Sequence, residues 1–417
     1  MIPLKRMRRL DRWLGIPLLA LISGWLRIKR LLGLNQSRSQ PKHVLVLLLS
    51  EMGSLVLAEP ALRKLQDQQG VKIGLCLFQR NAACLSLLPW LQQTEVFVIR
   101  DQRLRLLLLD VWRFRRWCRQ HHFDAVIDME LFSRFSGWLS VLSGAPIRVG
   151  FDRGTNEGLY RGTVFNYPVC YNAHLHMAHN YQTLVEGLSE ADRPYVKSPV
   201  QAALPQPSRF EYDPACQRGL DESLAACLAV EPQLLLSQSI VLVNVGASDL
   251  IPQRNWPTAS QVSLCRMLLA HDPQLRVVLC GSEQEQAVAR RIEQLVDDHR
   301  CRSMAGQLQV AELPYLYRRA ALMVTPDSGP AHFAAVTSMP VLVLFGPETP
   351  SLYRPLGNNR VLRAGLSCSP CVSAANHRLT LCRDNQCMAL ITPEQVCTAA
   401  VEMLARTEVV SLMPQTG

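Results

Sequence analysis

From His43 onward the apolar residues fall into short unbroken runs separated by mixed stretches. "HVLVLLL" (43–49) has no polar interruption after its first residue, the pattern of a strand covered on both faces of a parallel sheet. A helical pattern over Ala58–Gln69 follows it. The alternation then continues. "KIGLCLF", "EVFVIR", "FDAVIDM" and "IRVGF" predict strands, while "NAACLSLLPWL", "LRLLLLDVWRFRRWCRQHH" and Phe135–Ser143 predict helices. Residues 43–205 therefore read as a doubly wound α/β domain.

Ser198–Gln238 is rich in Pro and Gln, with one helical piece around Leu220–Ala229, and 206–237 reads as a connection. A second series occupies 238–417. "SIVLVNVGAS" is a strand and loop, and "TASQVSLCRMLLAHD" a helix. "LRVVLCGS" and "EQEQAVARRIEQLV" repeat the pair, and "AALMVTPDSGPAHFAAVTSM" and "PVLVLFGPE" complete a second Rossmann-like half. No G-x-G-x-x-G follows any of these strands, which argues against a nicotinamide dehydrogenase. Two such halves predict a cleft at the carboxyl ends of their strands. "SEMGS", "GASDLIPQRNWP", "CGSEQ", "TPDSGPAH" and "FGPETP" all sit at such ends and are expected to converge there.

Residues 1–42 have a different pattern: a basic start, then an uncharged run from Trp13 to Leu26, then Arg27, Lys29 and Arg30. The run is shorter than the roughly 20 residues that span a bilayer, and no small-residue cleavage site follows it cleanly. Trp13 and Trp25 bracket it as interfacial tryptophans do. The segment reads as an amphipathic helix in a membrane surface, held through residues 1–34 by apolar burial and attraction to anionic lipid. A spanning helix and an ordinary packing helix are the alternatives. On the first reading, a chain starting near Gln40 would be soluble.

At 417 residues and 48% hydrophobic composition the chain can bury two or three cores, which excludes disordered and fibrous classes. The net charge of +10 is concentrated in the first 42 residues, where ten Lys and Arg face Asp11 alone. The nearly neutral remainder argues against a nucleic-acid partner. Fourteen cysteines, ten of them in apolar or helical contexts, show no dense disulfide framework and suggest a reducing cytoplasmic setting.

"VTPDSGPAHFAA" carries the most chemistry. A strand ends at Thr325, and Asp327, Ser328 and Gly329 precede a helix start at Pro330–Ala331, where backbone N–H groups can hold a phosphate. A ligand-free Asp/Ser helix cap explains the same residues. "GASDLIPQRNWP" supplies Ser248 and Arg254, and arginine can clamp a diphosphate; a surface-loop arginine is the plainer reading. Gly281 allows close backbone approach and Glu283 could accept from ribose hydroxyls, although a carboxylate early in a helix also serves the dipole.

These segments resemble glycosyltransferase family 9, the lipopolysaccharide heptosyltransferases. The resemblance rests on "VTPDSGPAHFAAVTSMPVLVLFGPETPSLYRPLG", "VNVGASDLIPQRNWP", "VIDMELFSRFSGWLSVLSGAPIRVGFD" and "CSPC…ITPEQV", and runs from about Lys42 to Met403. It implies a two-domain GT-B fold, no metal or other cofactor in catalysis, and inverting transfer from an ADP-sugar. By the same resemblance Asp327, Ser328, Gly329, Pro330 and His332 hold the donor's sugar and phosphates, Ser248 and Arg254 its diphosphate, and Glu283 its ribose. The implied acceptor is a lipid-linked glycan, and the implied location is the cytoplasmic face of a bacterial inner membrane.

One departure matters. Family members commonly read Met-Gly-Asp at the first loop, with the Asp as catalytic base. Here the loop is Met52-Gly53-Ser54, and a serine is not basic near neutral pH. Glu51, on the same turn, is the substitute chosen here; Glu59 and the lack of any catalytic carboxylate are the alternatives. A nucleotide-sugar-binding relative that has lost catalysis is thus the rival functional reading.

Three further clusters remain. Cys368, Cys371, Cys382 and Cys387 form C-x2-C-x10-C-x4-C around His377, compatible with structural zinc or with free thiols. His174, His176 and His179 lack a nearby carboxylate or cysteine and read as a loop and helix face. Arg103, Arg105, Arg113, Arg115, Arg116 and Arg119 oppose only Asp110, and fit either a solvated helix face or attraction to an anionic membrane or phosphorylated glycolipid.

Overall fold

The computed structural model describes residues 11–32, 41–49, 51–152, 160–189, 199–247 and 251–412. Ser248, the basic residues Lys5–Arg9 and part of the 1–34 segment lie outside the described residues. The chain divides into two compact units, Met1–Pro205 with Ala374–His377 and Gln206–Ser373 with Arg378–Gly417. The 206–237 stretch thus belongs to the second unit.

In the first unit six parallel strands, β1 (His43–Leu47), β2 (Lys72–Phe78), β3 (Glu95–Ile99), β4 (Ala125–Asp128), β5 (Ile147–Asp152) and β6 (Tyr167–Cys170), form a sheet in the order β3-β2-β1-β4-β5-β6. The unbroken apolar run of β1 is explained by its central place: Val44 stands opposite Ile73 on one side and Ala125 on the other. The main helices among its described residues are α1 (Gly15–Leu31), α2 (Met52–Gln69), α3 (Leu104–His121), α4 (Arg134–Leu142) and α5 (Met177–Glu186). Phe114 of α3 and Leu139 of α4 share a core with Leu45, Leu47 and Leu49. α2 packs against α5, where Lys64 Nζ lies 2.9 Å from Glu186 Oε1. The helix expected over "NAACLSLLPWL" is instead a 3₁₀ segment, Gln79–Leu87, then a short helix, Pro89–Gln92. Pro89 is the reason: it pushes Leu88 out of the helical region, to φ −132° and ψ 74°.

The second unit repeats this plan with β7 (Ser239–Asn244), β8 (Leu275–Cys280), β9 (Cys301–Ser303), β10 (Leu322–Pro326), β11 (Val341–Leu344) and β12 (Asn359–Leu362), all parallel in the order β12-β11-β10-β7-β8-β9. Its main helices are α6 (Pro214–Leu228), α7 (Thr258–His271), α8 (Gln286–Val296), α9 (Leu313–Arg319), α10 (Gly329–Phe333) and α11 (Pro393–Leu412). Val241, Leu264, Leu279, Ile292, Leu342 and Ala400 lie in one core that joins sheet and helices. In each sheet the strand order reverses once, between β1 and β4 and between β7 and β10. Ligands of open α/β sheets bind outside the strand ends at such reversals.

α1 is docked rather than free. Leu19 is fully buried against Val164 and Phe165, with Trp138 and Val141 of α4 packed alongside. Asp11 Oδ1 accepts from the backbone N–H groups of Arg134 (2.9 Å) and Phe135 (2.8 Å), and so caps α4 from a distant part of the chain. Ser23 Oγ accepts from Thr163 N at 2.9 Å. Gly162 makes that approach possible: it has φ +67°, and a Cβ there would lie 2.1 Å from Ser23 Oγ. Removing residues 1–39 would strip these contacts, so solubility of a chain starting near Gln40 no longer follows. Among the described residues no helix is long and apolar enough to cross a membrane.

Candidate functional site

The reversal between β7 and β10 gathers most of the predicted donor residues. β7 ends in Asn244, whose buried carboxamide Nδ2 lies 2.8 Å from Gly246 O, 3.0 Å from Thr325 Oγ1 and 3.1 Å from Ser328 Oγ. Thr325 Oγ1 and Ser328 Oγ are themselves 3.2 Å apart. One amide thus ties the loop after β7 to the loop after β10. An amide buried at a strand end must find such partners.

The loop after β7 is held at several points. Asn255 Oδ1 accepts from Ala247 N at 2.6 Å, and Trp256 Nε1 donates to Ile391 O at 2.9 Å. Gln261 Nε2 donates to Val245 O and Trp256 O at 3.0 and 2.9 Å. Between these anchors Arg254 is largely buried, with Nη1 3.4 Å from Asp327 Oδ2. Arg254 is therefore a positioned cation rather than the loose surface arginine that its flexible-looking loop suggests.

Asp327, Ser328 and His332 are all buried, and Asp327 N donates to Leu344 O at 3.1 Å. The helix expected at Pro330–Ala331 starts at Gly329 with Ser328 as N-cap, contains Pro330, and ends at Phe333 before a 3₁₀ turn, Ala334–Val336. Five residues sum few peptide dipoles, so this helix end attracts an anion less than the sequence reading assumes. Arg254 supplies a full positive charge nearby.

The loop after β8 differs from expectation. Glu283 is exposed, at the start of a 3₁₀ turn, Glu283–Glu285. Glu285 turns inward instead: its Oε2 accepts from Ser282 N at 2.7 Å, and a Cβ on Gly246 would lie 2.3 Å from its Oε1. The carboxylate beside the β7 loop is thus Glu285, which the sequence reading missed. Gly281 keeps room for its stem, a Cβ there lying 3.0 Å from Glu285 Cβ. After β11, buried Glu348 lies 3.6 Å from Arg378 Nε, whose guanidinium stands 4.8 Å from the Tyr353 ring centroid.

In the first unit the reversal between β1 and β4 also carries buried polar groups, none singled out from sequence. Leu49 N donates to Glu130 Oε1 at 2.6 Å, and Asn81 Nδ2 donates to Leu49 O. Glu130 N donates to Asp128 Oδ1 at 2.9 Å, and Arg161 pairs with the other Asp128 oxygen. Burial raises the Asp128 pKa, and the Arg161 charge opposes that rise. The signal for this cluster is present in "VIDMELF", where two carboxylates end a buried strand.

That cluster fixes the entry to the first loop. Glu51 is the half-buried N-cap residue of α2, in extended conformation (φ −142°, ψ 133°), and its side chain makes no cap bond. Its carbonyl accepts from Ser54 N at 3.2 Å, which puts Ser54 in the first helical turn. Glu59 is fully buried, accepts from Trp90 Nε1 at 3.0 Å and lies 3.8 Å from Arg63 Nε. It is sequestered as a packing carboxylate, which favours Glu51 over it as the base.

Cys368, Cys371, Cys382 and Cys387 are free thiols. Burial, followed by the nearby Cys371, Cys382 and Cys368, pushes the Cys387 thiol up to about 11. Among the described residues no group of three or more His, Cys, Asp or Glu is arranged to hold a metal ion. The three histidines are also apart in role: His176 caps α5, His179 contacts Gln182 at 3.1 Å, and His174 is exposed.

A sequence profile described as glycosyltransferase family 9 (heptosyltransferase) matches residues 111–381, well over half of the chain. Lipopolysaccharide heptosyltransferase 2 of Escherichia coli (strain K12) is 31% identical over 116 residues, 27% of this chain and 33% of that relative. The match thus spans about a third of that relative's length. Lipopolysaccharide heptosyltransferase 1 of Campylobacter coli is 22% identical over 318 residues, 74% of this chain and 84% of that relative. Among solved structures, the E. coli ADP-heptose lps heptosyltransferase II superposes with a TM-score of 0.64 at 20% identity, covering 88% of this chain and 99% of that one. That similarity establishes the α/β fold of paired parallel sheets.

Proposed function

Because the chain belongs to glycosyltransferase family 9, the heptosyltransferase family, we propose that it is an inverting glycosyltransferase moving a sugar from a nucleoside diphosphate onto a lipid-linked glycan. The donor is an ADP-sugar of the heptose type, as in the name of the E. coli structural neighbour. The acceptor is a lipopolysaccharide core or a related surface glycan, met at the cytoplasmic face of the inner membrane. The observation that carries this reading is the buried Arg254–Asp327 pair at the β7/β10 reversal, tied in place through Asn244.

The chemistry follows from these groups. An acceptor hydroxyl attacks the anomeric carbon; the new C–O bond forms as the bond from that carbon to the diphosphate oxygen breaks. The hydroxyl proton passes to a base, for which Glu51 is the candidate. Negative charge grows on the leaving diphosphate, where Arg254 and Ser248 stabilise it. Asp327, Ser328, Gly329, Pro330 and His332 shape the sugar and phosphate site, with Gly281 at its margin. Glu285 joins Glu283 as a candidate partner for the nucleoside, since it is the one turned toward the β7 loop.

The non-catalytic reading has one observation in its favour: Ser54, not a carboxylate, stands in the first turn of α2. A donor panel separates the two. Purified protein is incubated with ADP-, UDP- and GDP-sugars and extracted glycolipid, and product is read by mass. Transfer from an ADP-sugar supports the enzyme; donor binding without transfer to any acceptor supports the rival.

A further inference from the structure

Two helices of the first unit leave an apolar stripe in solvent. On α1, Leu19 and Ser23 face the body, while Leu21, Trp25, Ile28 and Leu31 lie opposite, with Trp25 50% and Leu31 86% exposed. Arg27 and Lys29 flank this stripe, and Lys29 Nζ sits 4.1 Å from the Trp25 ring centroid. On α3, Val111, Phe114 and Cys118 face the core, whereas Leu108 is 57% and Trp112 60% exposed, with Leu104 one turn before them. The same outer face then turns basic through exposed Arg115, Arg116 and Arg119.

α4 links the two helices, because its Trp138 packs against both the core under α3 and the Leu19 cluster under α1. No acid opposes their positive charge from within. α1 has none, and the sole acid of α3, Asp110, turns inward to Arg100 at 2.7 and 2.8 Å. Asp152 of β5 shares a cavity with Arg27, but the stripes themselves are edged by cations, which matches the boundary between acyl chains and anionic headgroups.

We infer that α1 and α3 together form a two-helix seat for an anionic lipid surface. Leu21, Trp25, Ile28, Leu108 and Trp112 enter the headgroup boundary, and Arg27, Lys29, Arg115, Arg116 and Arg119 meet lipid phosphates. The inference rests on the membrane reading given above and extends it from the N-terminal segment to α3.

Full-length protein is sedimented with vesicles of phosphatidylcholine alone or mixed with phosphatidylglycerol. The mixed vesicles should bind it, and high salt should weaken the binding. The double variant Leu108→Glu/Trp112→Glu should lower partitioning onto mixed vesicles by about tenfold or more, as should Trp25→Glu/Ile28→Glu. Melting temperatures should match the parent, since all four side chains are exposed. If the α3 variant binds like the parent while the α1 variant does not, the two-helix seat is overturned and attachment through the N-terminal segment stands. If neither variant changes binding, both readings fall. If the α3 variant instead converts a dimer to a monomer with vesicle binding intact, the face is a self-association surface and the inference is overturned.

Discussion

Arg254 and Asp327 are 73 residues apart in sequence, yet Arg254 Nη1 lies 3.4 Å from Asp327 Oδ2. They follow the neighbouring strands β7 and β10, at the one point where the order of the second sheet reverses. The carboxylate orients the guanidinium, and burial strengthens the pairing by excluding water. A planar guanidinium fixed in this way suits a bidentate acceptor such as a diphosphate, the role proposed for it.

Asp327→Ala should therefore weaken ADP and ADP-sugar binding by about tenfold or more, because it removes a charge-assisted contact and releases Arg254. Arg254→Lys should also lose affinity, since a point charge cannot reproduce the fork. Titration calorimetry with ADP reads both, and circular dichroism checks the fold. Unchanged affinity in folded Asp327→Ala would remove the donor role from this loop.

Asn244→Ala should act on stability and donor binding together. The carboxamide serves Gly246 O, Thr325 Oγ1 and Ser328 Oγ at once. Its loss leaves buried groups unsatisfied, a cost of about 1–3 kcal/mol, and frees the two loops from each other. Asn244→Asp should be worse, because it sets an anion against the Gly246 carbonyl. Urea unfolding gives the stability term; a variant as stable as the parent would show that the amide is not a tie.

The strands legible in sequence are the central ones. β1 and β7 are buried on both sides, so their apolar runs are unbroken. β6, β9 and β12 escaped notice because they are edge strands of three or four residues, and β12 is only half-buried throughout. The site divides in the same way. Asp327, Ser328 and Arg254 stand beside recognisable strand ends, and motif resemblance reached them. Asn244, Glu285, Asp128, Glu130 and Arg161 act through contacts made by folding, and local pattern assigns no role to a polar residue whose partner is 81 residues away.

A pH test addresses the anchor of α3. Burial raises the pKa of Asp110, but its bonds to Arg100 and the charges of Arg100 and Arg113 outweigh this, and the net shift is downward. A depressed folded pKa stabilises the native state above the unfolded value, and that stability is lost as pH falls through the folded value. Asp110→Asn should thus be less stable than the parent at neutral pH by about 1–3 kcal/mol. The gap should close in acid, below the ordinary aspartate range. Urea denaturation of both proteins across pH measures it; a constant gap would mean that packing, not charge, anchors the helix.

Glu51→Gln tests the proposed base. Glu51 is the N-cap residue of α2 and is half-buried, while Glu59 is sealed against Trp90 and Arg63. Glu51 is thus the candidate base on the first loop, and its side chain is one methylene longer than the aspartate that Ser54 replaces. A general base contributes about 10²–10⁴-fold in rate. The glutamine keeps size and hydrogen bonding but not basicity, so turnover should fall by about that range while ADP affinity stays near the parent value. Urea denaturation of both proteins separates a loss of rate from a loss of stability. Ser54→Asp in the Glu51→Gln background should restore part of the rate by returning a carboxylate to the first turn. Normal turnover in Glu51→Gln would remove Glu51 from the mechanism and leave the proton to a substrate phosphate.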